Sequence, residues 1–363
     1  MPTRRVHHLA AATAAATALT TVLATLAAAA PAPAADSGPV HLVHHLVHPG
    51  ESIQRAVDAA APGDTVQVLP GTYPGSVRIT TPGLTLRGSG PASEIVPGDG
   101  TENACAAAGH GLCVVGTEAA PLEGLTVESI GVRGFRKNGI DITGTTGMAV
   151  RANSVQGNGE QGISQEVSTK ASIVGNDVHG NGQSGVFLAN YVNRKAGAPV
   201  IGTVVAGNKL SDNRVGVTVR RLRGLSIEGN DIRANCGGVF VVGDEDVPRA
   251  GDLDVTRNTV VANNKYCAPN PRLGAIQGAG VVLTGVDAAR VTDNEIRDNV
   301  GSSDFSGGIV LFKSVVGMPN TNNAITGNRL SGNAPADLAD RDTGTDNSFL
   351  RNECSVSEPS GHC

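Results

Sequence analysis

The sequence predicts an all-β solenoid of short parallel strands, and three observations carry that prediction. An asparagine, four residues and a second asparagine recur seven times, at Asn153/Asn158, Asn176/Asn181, Asn208/Asn213, Asn230/Asn235, Asn258/Asn263, Asn294/Asn299 and Asn328/Asn333. The first asparagines lie 23, 32, 22, 28, 36 and 34 residues apart, so the unit is fixed while the connection between units varies. Each pair is followed by a glycine and a short alternating aliphatic run, as in Gly238-Val239-Phe240-Val241-Val242. A 22-residue unit is too short for a strand-helix-strand crossover of about 30 residues, but it fits a coil of three short strands. Coils that return to the same place stack like strand on like strand, with a rise of about 4.8 Å.

The elements follow in chain order. Arg4 and Arg5, the Ala/Leu/Thr-rich stretch Leu9 to Ala30 and Ala32-Pro33-Ala34 read as a signal peptide over 1–34, with general secretion favoured over twin-arginine export because Val6-His7-His8 lacks the apolar residues expected there. Residues 35–48 read as irregular. Ser52 then caps a short helix whose Ile53, Ala56, Val57 and Ala60 share a face, and Pro62-Gly63-Asp64 ends it. Thr65 to Leu69, Val77 to Thr80 and Leu84 to Arg87 read as strands separated by Pro-Gly turns. From Leu125 the units repeat as strand, turn, strand, turn, strand. Asparagine at a corner can bond the amides of the coils above and below, so all these asparagines read as structural. Ile130 and Phe135 occupy the asparagine positions in the first unit, so the ladder is expected to start one coil late. After Asn352 the pattern fades into a C-terminal cap.

Composition limits the partners. The chain carries 28 Lys and Arg against 33 Asp and Glu; removal of Arg4 and Arg5 leaves 26 against 33, a net charge of −7. That balance argues against nucleic acid as a partner. No segment after the signal reaches the roughly 18 apolar residues needed to span a bilayer, so a secreted, extracellular monomer is expected. Six cysteines in an exported chain imply disulfides. Fifteen pairings are open, but nearness favours Cys105 with Cys113 and Cys354 with Cys363. That leaves Cys236 for Cys267, which follow the second asparagines of consecutive repeats and would meet if those repeats stack.

Two stretches carry a family resemblance. One runs Gly50-Glu51-Ser52-Ile53-Gln54 through Pro62-Gly63-Asp64-Thr65-Val66 to Pro70-Gly71-Thr72-Tyr73; the other is the Asn-x4-Asn coil itself. Together they resemble a right-handed parallel β-helix protein of the pectin-lyase-like superfamily, close to the secreted repeat proteins grouped with the copper-processing NosD type. The resemblance implies a single right-handed parallel β-helix over 49–363, of roughly ten coils, with an N-terminal capping helix. It spans pectate lyases, polygalacturonases, alginate lyases, epimerases and proteins without activity, so it does not choose a reaction. Gly109-His110-Gly111 stands apart from the Asn-Thr-Asp and Asp-Asp motifs that a polygalacturonase-like site requires. The Asp-Pro-His-Asp of mannuronan epimerases and the Arg-x-Pro-x-x-Arg of pectate lyases are absent.

Strand alternation sorts the third strand of each coil into core and surface. Ile140, Ile142, Val186, Leu188, Val217, Val219, Val239, Val241, Val281, Leu283, Ile309 and Leu311 face inward. Gln165 breaks this column and must find an internal partner or distort its strand. Asp141, Ser164, Phe187, Thr218, Phe240, Val282 and Val310 form one outward column. Thr143, Glu166, Ala189, Arg220, Val242, Thr284 and Phe312 form the next. Asp141 and Glu166, about 8 Å apart by strand spacing, suit paired acid/base chemistry or a cation, and Arg220 suits an acidic sugar or the base of an elimination. Phe187, Asn190, Tyr191, Arg221, Phe240 and Phe312 are the candidate substrate contacts. The phenylalanines form either a stacking platform for sugars or the ground under the long loops after Val192 and Lys265, and the scarcity of aromatic residues favours loop cover.

Two clusters raise metal binding. Asp244, Glu245 and Asp246 offer oxygen ligands of the kind calcium takes. His41, His44, His45 and His48 would share a face only in a helix, which the flanking Val and Leu disfavour. The leading expectation is binding or processing of an extracellular polysaccharide, an acidic glycan acted on by lyase or hydrolase chemistry at Asp141, Glu166 and Arg220. A non-catalytic surface or adhesion scaffold and a NosD-like metal-handling protein are the alternatives.

Overall fold

A computed structural model describes residues 43–100, 102–190, 198–245, 247–270 and 273–363. The predicted third strands form an eleven-stranded sheet, from Val77–Ile79 through Ile140–Thr143, Ile163–Glu166, Ser184–Ala189, Val215–Arg220 and Gly237–Val242 to Ser357–Glu358, each pairing in parallel with the next coil. The first and second strands of each coil make the other two faces. These faces count as one twenty-stranded sheet because Thr85–Val96 and Thr126–Arg133 run unbroken round the corner and pair on both. In later coils an asparagine breaks that corner. The long strand Thr126–Arg133 is the unit with Ile130 where the asparagine would stand.

Two asparagine ladders hold the corners. Asn153 Nδ2 donates to Asn176 Oδ1 at 3.0 Å, and the chain of side-chain bonds continues through Asn208, Asn230, Asn258, Asn294 and Asn328 to Asn352. The second ladder runs from Asn158 through Asn181, Asn213, Asn235, Asn263 and Asn299 to Asn333, where the Asp337 carboxylate accepts the last amide at 2.9 Å. Each oxygen also accepts a main-chain N–H, and every amide after Asn158 donates as well to a main-chain carbonyl, so the buried side chains keep their hydrogen bonds. Both ladders begin one coil late: the N–H groups of Ile130 and Phe135 donate to Asn153 and Asn158. A third, short ladder that the repeat does not announce joins Asn323 to Asn347 at 2.9 Å, with Asn320 bonded to Asp342 beside it.

Every predicted inward residue is 0 or 1 % exposed. Gln165 lies in their column, paired in register with Ile142 and Leu188 and only 2 % exposed. It neither distorts the strand nor finds a partner for its Oε1. An unpaired buried amide oxygen costs about 1–3 kcal/mol, and leucine fills a similar volume. Gln165→Leu is therefore expected to stabilise the fold by about 2 kcal/mol, read as a raised denaturant midpoint at constant m-value. A lowered midpoint would mean that the amide is satisfied by trapped water.

At the N-terminal end Ser52 caps the helix Ile53–Ala59 as expected, and Ile53 and Val57 are buried against the first coil. The segment expected to be irregular contains a strand, His44–Val47, in parallel register with Thr65–Val68. Asp64 is the reason. Its carboxylate accepts the Val43 N–H at 2.9 Å, His45 Nε2 at 3.0 Å and the Ala61 N–H at 2.9 Å, pinning the strand over an otherwise bare edge. Those bonds, the Val43 one foremost, hold the Asp64 carboxyl below the ordinary carboxylate value. The folded form thus binds a proton less readily than the unfolded form, so its stabilisation is complete above the ordinary value and is lost as pH falls through the folded one. Acidification is expected to release residues 43–47 before the solenoid melts, seen as early amide exchange there. In Asp64→Asn that segment should exchange quickly at every pH. Residues 1–42, the predicted signal peptide and His41 among them, lie outside the described residues.

The three disulfides pair as nearness suggested: Cys105 with Cys113, Cys236 with Cys267 and Cys354 with Cys363. The last closes the far end, where Phe349 stacks on His362 with ring centroids 4.1 Å apart.

Candidate functional site

The outward columns fall in the predicted register: Asp141 beside Ser164, Phe187, Thr218, Phe240, Val282 and Val310, and Thr143 beside Glu166, Ala189, Arg220 and Val242. The face nevertheless divides in two. From the strand Gly237–Val242 onward it is roofed by residues 264–270 and 273–276 and by Phe305, and Val215 packs into the edge of that cluster. Phe240 is 2 % exposed, Val282 and Val310 are fully buried, and Phe305 packs edge-on against Phe240 at 5.6 Å and Phe312 at 5.0 Å. The Cys236–Cys267 bond and Arg214, which donates to the carbonyls of Ala268 at 2.9 Å and Gly274 at 3.4 Å, fasten the roof. Phe240 is thus no sugar platform but the floor of a second apolar core, because so many adjacent outward aliphatics demand cover. Phe312 is half-buried at its margin and Phe187 half-buried on the open side.

On the open half the strands hold polar side chains. Asn138, 6 % exposed, donates from Nδ2 to Asp141 Oδ1 at 2.7 Å, and its main-chain N–H donates to His110 Nδ1 at 3.2 Å. Its own oxygen takes the Gln161 N–H at 3.0 Å, which fixes the amide's orientation. His110 is therefore in the site, although its motif reads as isolated in the sequence. The register of Leu112 with Ile140 stacks residues 110 and 138 on neighbouring coils, and the Cys105–Cys113 bond braces the turn that presents the ring. With Nδ1 accepting, the ring proton of neutral His110 lies on Nε2. Burial pushes the imidazole below its ordinary value; Asp141 and Glu160 oppose that, while Lys137 and Arg136 add to it. Counting back from the glycine before each third strand, Gly111 and Gly139, is the signal that aligns the two residues.

Glu166 and Arg220 share one outward column with Ala189 between them, about 9.6 Å apart at the strand spacing. Ser184 and Thr218 join hydroxyls on the same face at 2.7 Å.

Other candidates lie elsewhere. Arg221 takes a positive φ of 59° at the strand end, which turns it off the face, and its Nε pairs with the Asp244 carboxylate. That pair removes Arg221 from the substrate contacts and commits Asp244, 6 % exposed, to an arginine instead of a cation. Glu245 is exposed, and Asp246 and Tyr191 lie outside the described residues. Asn190 is 7 % exposed with its N–H on the Arg220 carbonyl, so it shapes the rim. Among the described residues no three His, Cys, Asp or Glu side chains converge as a metal site, and no helix is long and apolar enough to cross a membrane.

Comparison with solved structures finds the same architecture in other proteins. The A-module of the mannuronan C-5 epimerase AlgE4 of Azotobacter vinelandii superposes with a TM-score of 0.56 at 17 % identity, over 84 % of this chain and 90 % of that one. The DFA-IIIase of Arthrobacter chlorophenolicus A6, in complex with GF2, does so with 0.56 at 12 % identity, over 86 % and 97 %. The periplasmic alginate epimerase AlgG gives 0.50 at 15 % identity, over 79 % and 67 %. No curated protein matches the sequence itself. A sequence model described as right handed beta helix region matches residues 102–260 and 138–315, together more than half of the chain. With parallel coils, stacked asparagine corners and that match, the chain belongs to the right-handed β-helix family.

Proposed function

We propose that this is a secreted protein that binds and processes an extracellular acidic polysaccharide on the open half of its outer face. One observation carries the reading: Asp141 held by Asn138 beside His110, Glu166 on the next strand and Arg220 two strands further in the Glu166 column lie on the same outer face, on the half that the roof does not reach. Arg220 would pair with a uronate carboxylate. In an elimination, a base of the site takes the proton α to that carboxylate, the C–O bond to the leaving sugar breaks, and the leaving oxygen takes a proton from the opposite acid. In a hydrolysis Asp141 and Glu166 would act on a water between them, one as base and the other as acid to the leaving oxygen. Three disulfides suit an oxidising compartment outside the cell, and the solved structures named as mannuronan and alginate epimerases add support by analogy of fold.

The alternatives lose their features. An adhesion module that stacks sugars on aromatic rings is disfavoured by the burial of Phe240, and metal handling by the commitment of His45 to Asp64. Purified chain incubated with pectate, alginate and hyaluronan, with and without calcium, is expected to release unsaturated product absorbing in the ultraviolet or new reducing ends on at least one polymer. Silence and absence of binding on all three would sink the reading, while binding without turnover would leave a non-catalytic binder.

A further inference from the structure

We infer that His110 is a catalytic residue of the open face, an uncharged hydrogen-bond donor that offers Nε2–H to a substrate oxygen beside Asp141, and that Asn138 is the positioning residue that sets both side chains. The inference rests on the glycan reading above. Three bonds of Asn138 have a fixed sense. Its main-chain N–H can only donate, so the His110 Nδ1 that receives it at 3.2 Å holds a lone pair, and the proton of the neutral ring goes to Nε2. Its Oδ1 accepts the Gln161 N–H at 3.0 Å, so the amide cannot be turned over, and Nδ2 is the group that meets Asp141 Oδ1 at 2.7 Å. Asp141 is left with Oδ2 for proton transfer. At 6 % exposed, Asn138 makes these bonds with little competition from water. The corner asparagines pass Nδ2 to the Oδ1 of the next coil, whereas Asn138 passes it to an outward carboxylate of its own coil.

The turn that carries His110 holds the ring still. The Lys137 N–H donates to the Gly109 carbonyl at 2.9 Å and the Gly111 N–H to the Asn138 carbonyl at 3.0 Å, while Ser76 Oγ donates to the carbonyl of His110 itself at 2.6 Å. Both flanking glycines are needed for this. Gly109 takes a φ of 90° to end the helix Ala104–Ala108, and a Cβ on Gly111 would stand 2.7 Å from the Gly139 carbonyl oxygen. Support continues along the coils, where Gln161 Oε1 accepts the Ser184 N–H at 2.6 Å and Ser184 joins Thr218. A ring held in this way is a poor acid or base. A second proton on Nδ1 would point at the Asn138 N–H, so protonation has to break the bond that orients the ring. Burial also disfavours protonation; Asp141 and Glu160 oppose it, and Lys137 and Arg136 reinforce it. As a donor the ring is well placed. Whichever carboxyl takes the proton, charge develops on a substrate oxygen as the C–O bond breaks, and a fixed N–H beside it stabilises that charge without transferring a proton.

The test joins a ring measurement without substrate to kinetics on pectate, alginate and hyaluronan, all with the full chain. Nitrogen NMR of the histidine rings is expected to show His110 protonated at Nε2 and bare at Nδ1 at neutral pH. Two variants separate the two ring nitrogens. His110→Asn keeps an oxygen where Nδ1 accepts the Asn138 N–H but has no distal donor, whereas His110→Gln carries an amide N–H out to the place of Nε2. On the polymer turned over, His110→Asn should lose about 10²–10³ in kcat, the weight of one transition-state donor, while His110→Gln should stay within about tenfold of the parent. The kcat of the parent chain should not follow the titration of the His110 ring. Asn138→Asp keeps an oxygen for the Gln161 N–H but sets a second carboxylate against Asp141, so it should lower kcat at nearly constant KM and move the Asp141 limb of the pH profile upward. A merely structural Asn138 would lower the melting temperature and leave that profile in place. A ring protonated at Nδ1, a glutamine variant as slow as the asparagine one, an asparagine variant as fast as the parent, or a kcat that tracks the His110 titration would overturn the inference while leaving the glycan reading standing. Absence of turnover and binding on every polymer would remove the glycan reading and this inference with it.

Discussion

Replacing Asn230 by alanine is expected to lower stability by about 3–5 kcal/mol, a large share of the marginal stability typical of a domain. The side chain makes four bonds. Its oxygen accepts the Asn208 N–H and Nδ2, each at 2.9 Å, and its amide donates to Asn258 Oδ1 and to the Val205 carbonyl, each at 2.9 Å. Alanine therefore strands a buried main-chain donor and a buried main-chain acceptor of the preceding coil, each costing about 1–3 kcal/mol, and leaves a cavity as well. Since coils contact only their neighbours, a central lesion should also uncouple the two halves of the array, broadening the denaturant transition. Asn352→Ala is the control. It ends the same ladder, half-exposed, and water can replace its bonds, so about 1 kcal/mol is expected. Equal losses at the two positions would show that the ladder is not what holds the corner.

What the sequence makes legible here is whatever repeats. A spacing that recurs seven times sets the coil, and strand alternation then fixes which of Ile140, Asp141 and Ile142 turns outward, because a shift by one residue would invert every side chain of the strand. Disulfide pairing follows from the same register, since stacked coils bring Cys236 and Cys267 together. Features that occur once leave no such trace. The ladder from Asn323 to Asn347 is confined to the last coils, so no period reveals it. Burial of Phe240 depends on how Cys267, Leu273 and Ile276 fold back over it, a non-local choice made by the loop and its disulfide. The departure of Arg221 from the face turns on one positive φ. His110 precedes the repeat and joins the site only through the coil that stacks it on Asn138.

That stacked pair yields the sharpest chemical expectation. On whichever polymer is turned over, Asp141→Asn and Glu166→Gln should each cut kcat by about 10²–10⁴, the usual weight of a general acid or base, with the denaturation midpoint nearly unmoved. Arg220→Ala should chiefly raise KM, and less so at high salt, because its contribution is attraction to the sugar carboxylate. Loss of stability matching the loss of rate would instead make these side chains scaffolding. A second readout needs no substrate: the titration of the His110 ring followed by NMR. Burial depresses its protonation, opposed by Asp141 and Glu160 and reinforced by Lys137 and Arg136. Removing the Asp141 charge in Asp141→Asn should therefore move the His110 midpoint to lower pH, and Glu160→Gln should move it the same way by less. Lys137→Ala should move it up. A midpoint indifferent to Asp141 would separate the two residues electrostatically and take His110 out of the site, whatever the polymer assays return.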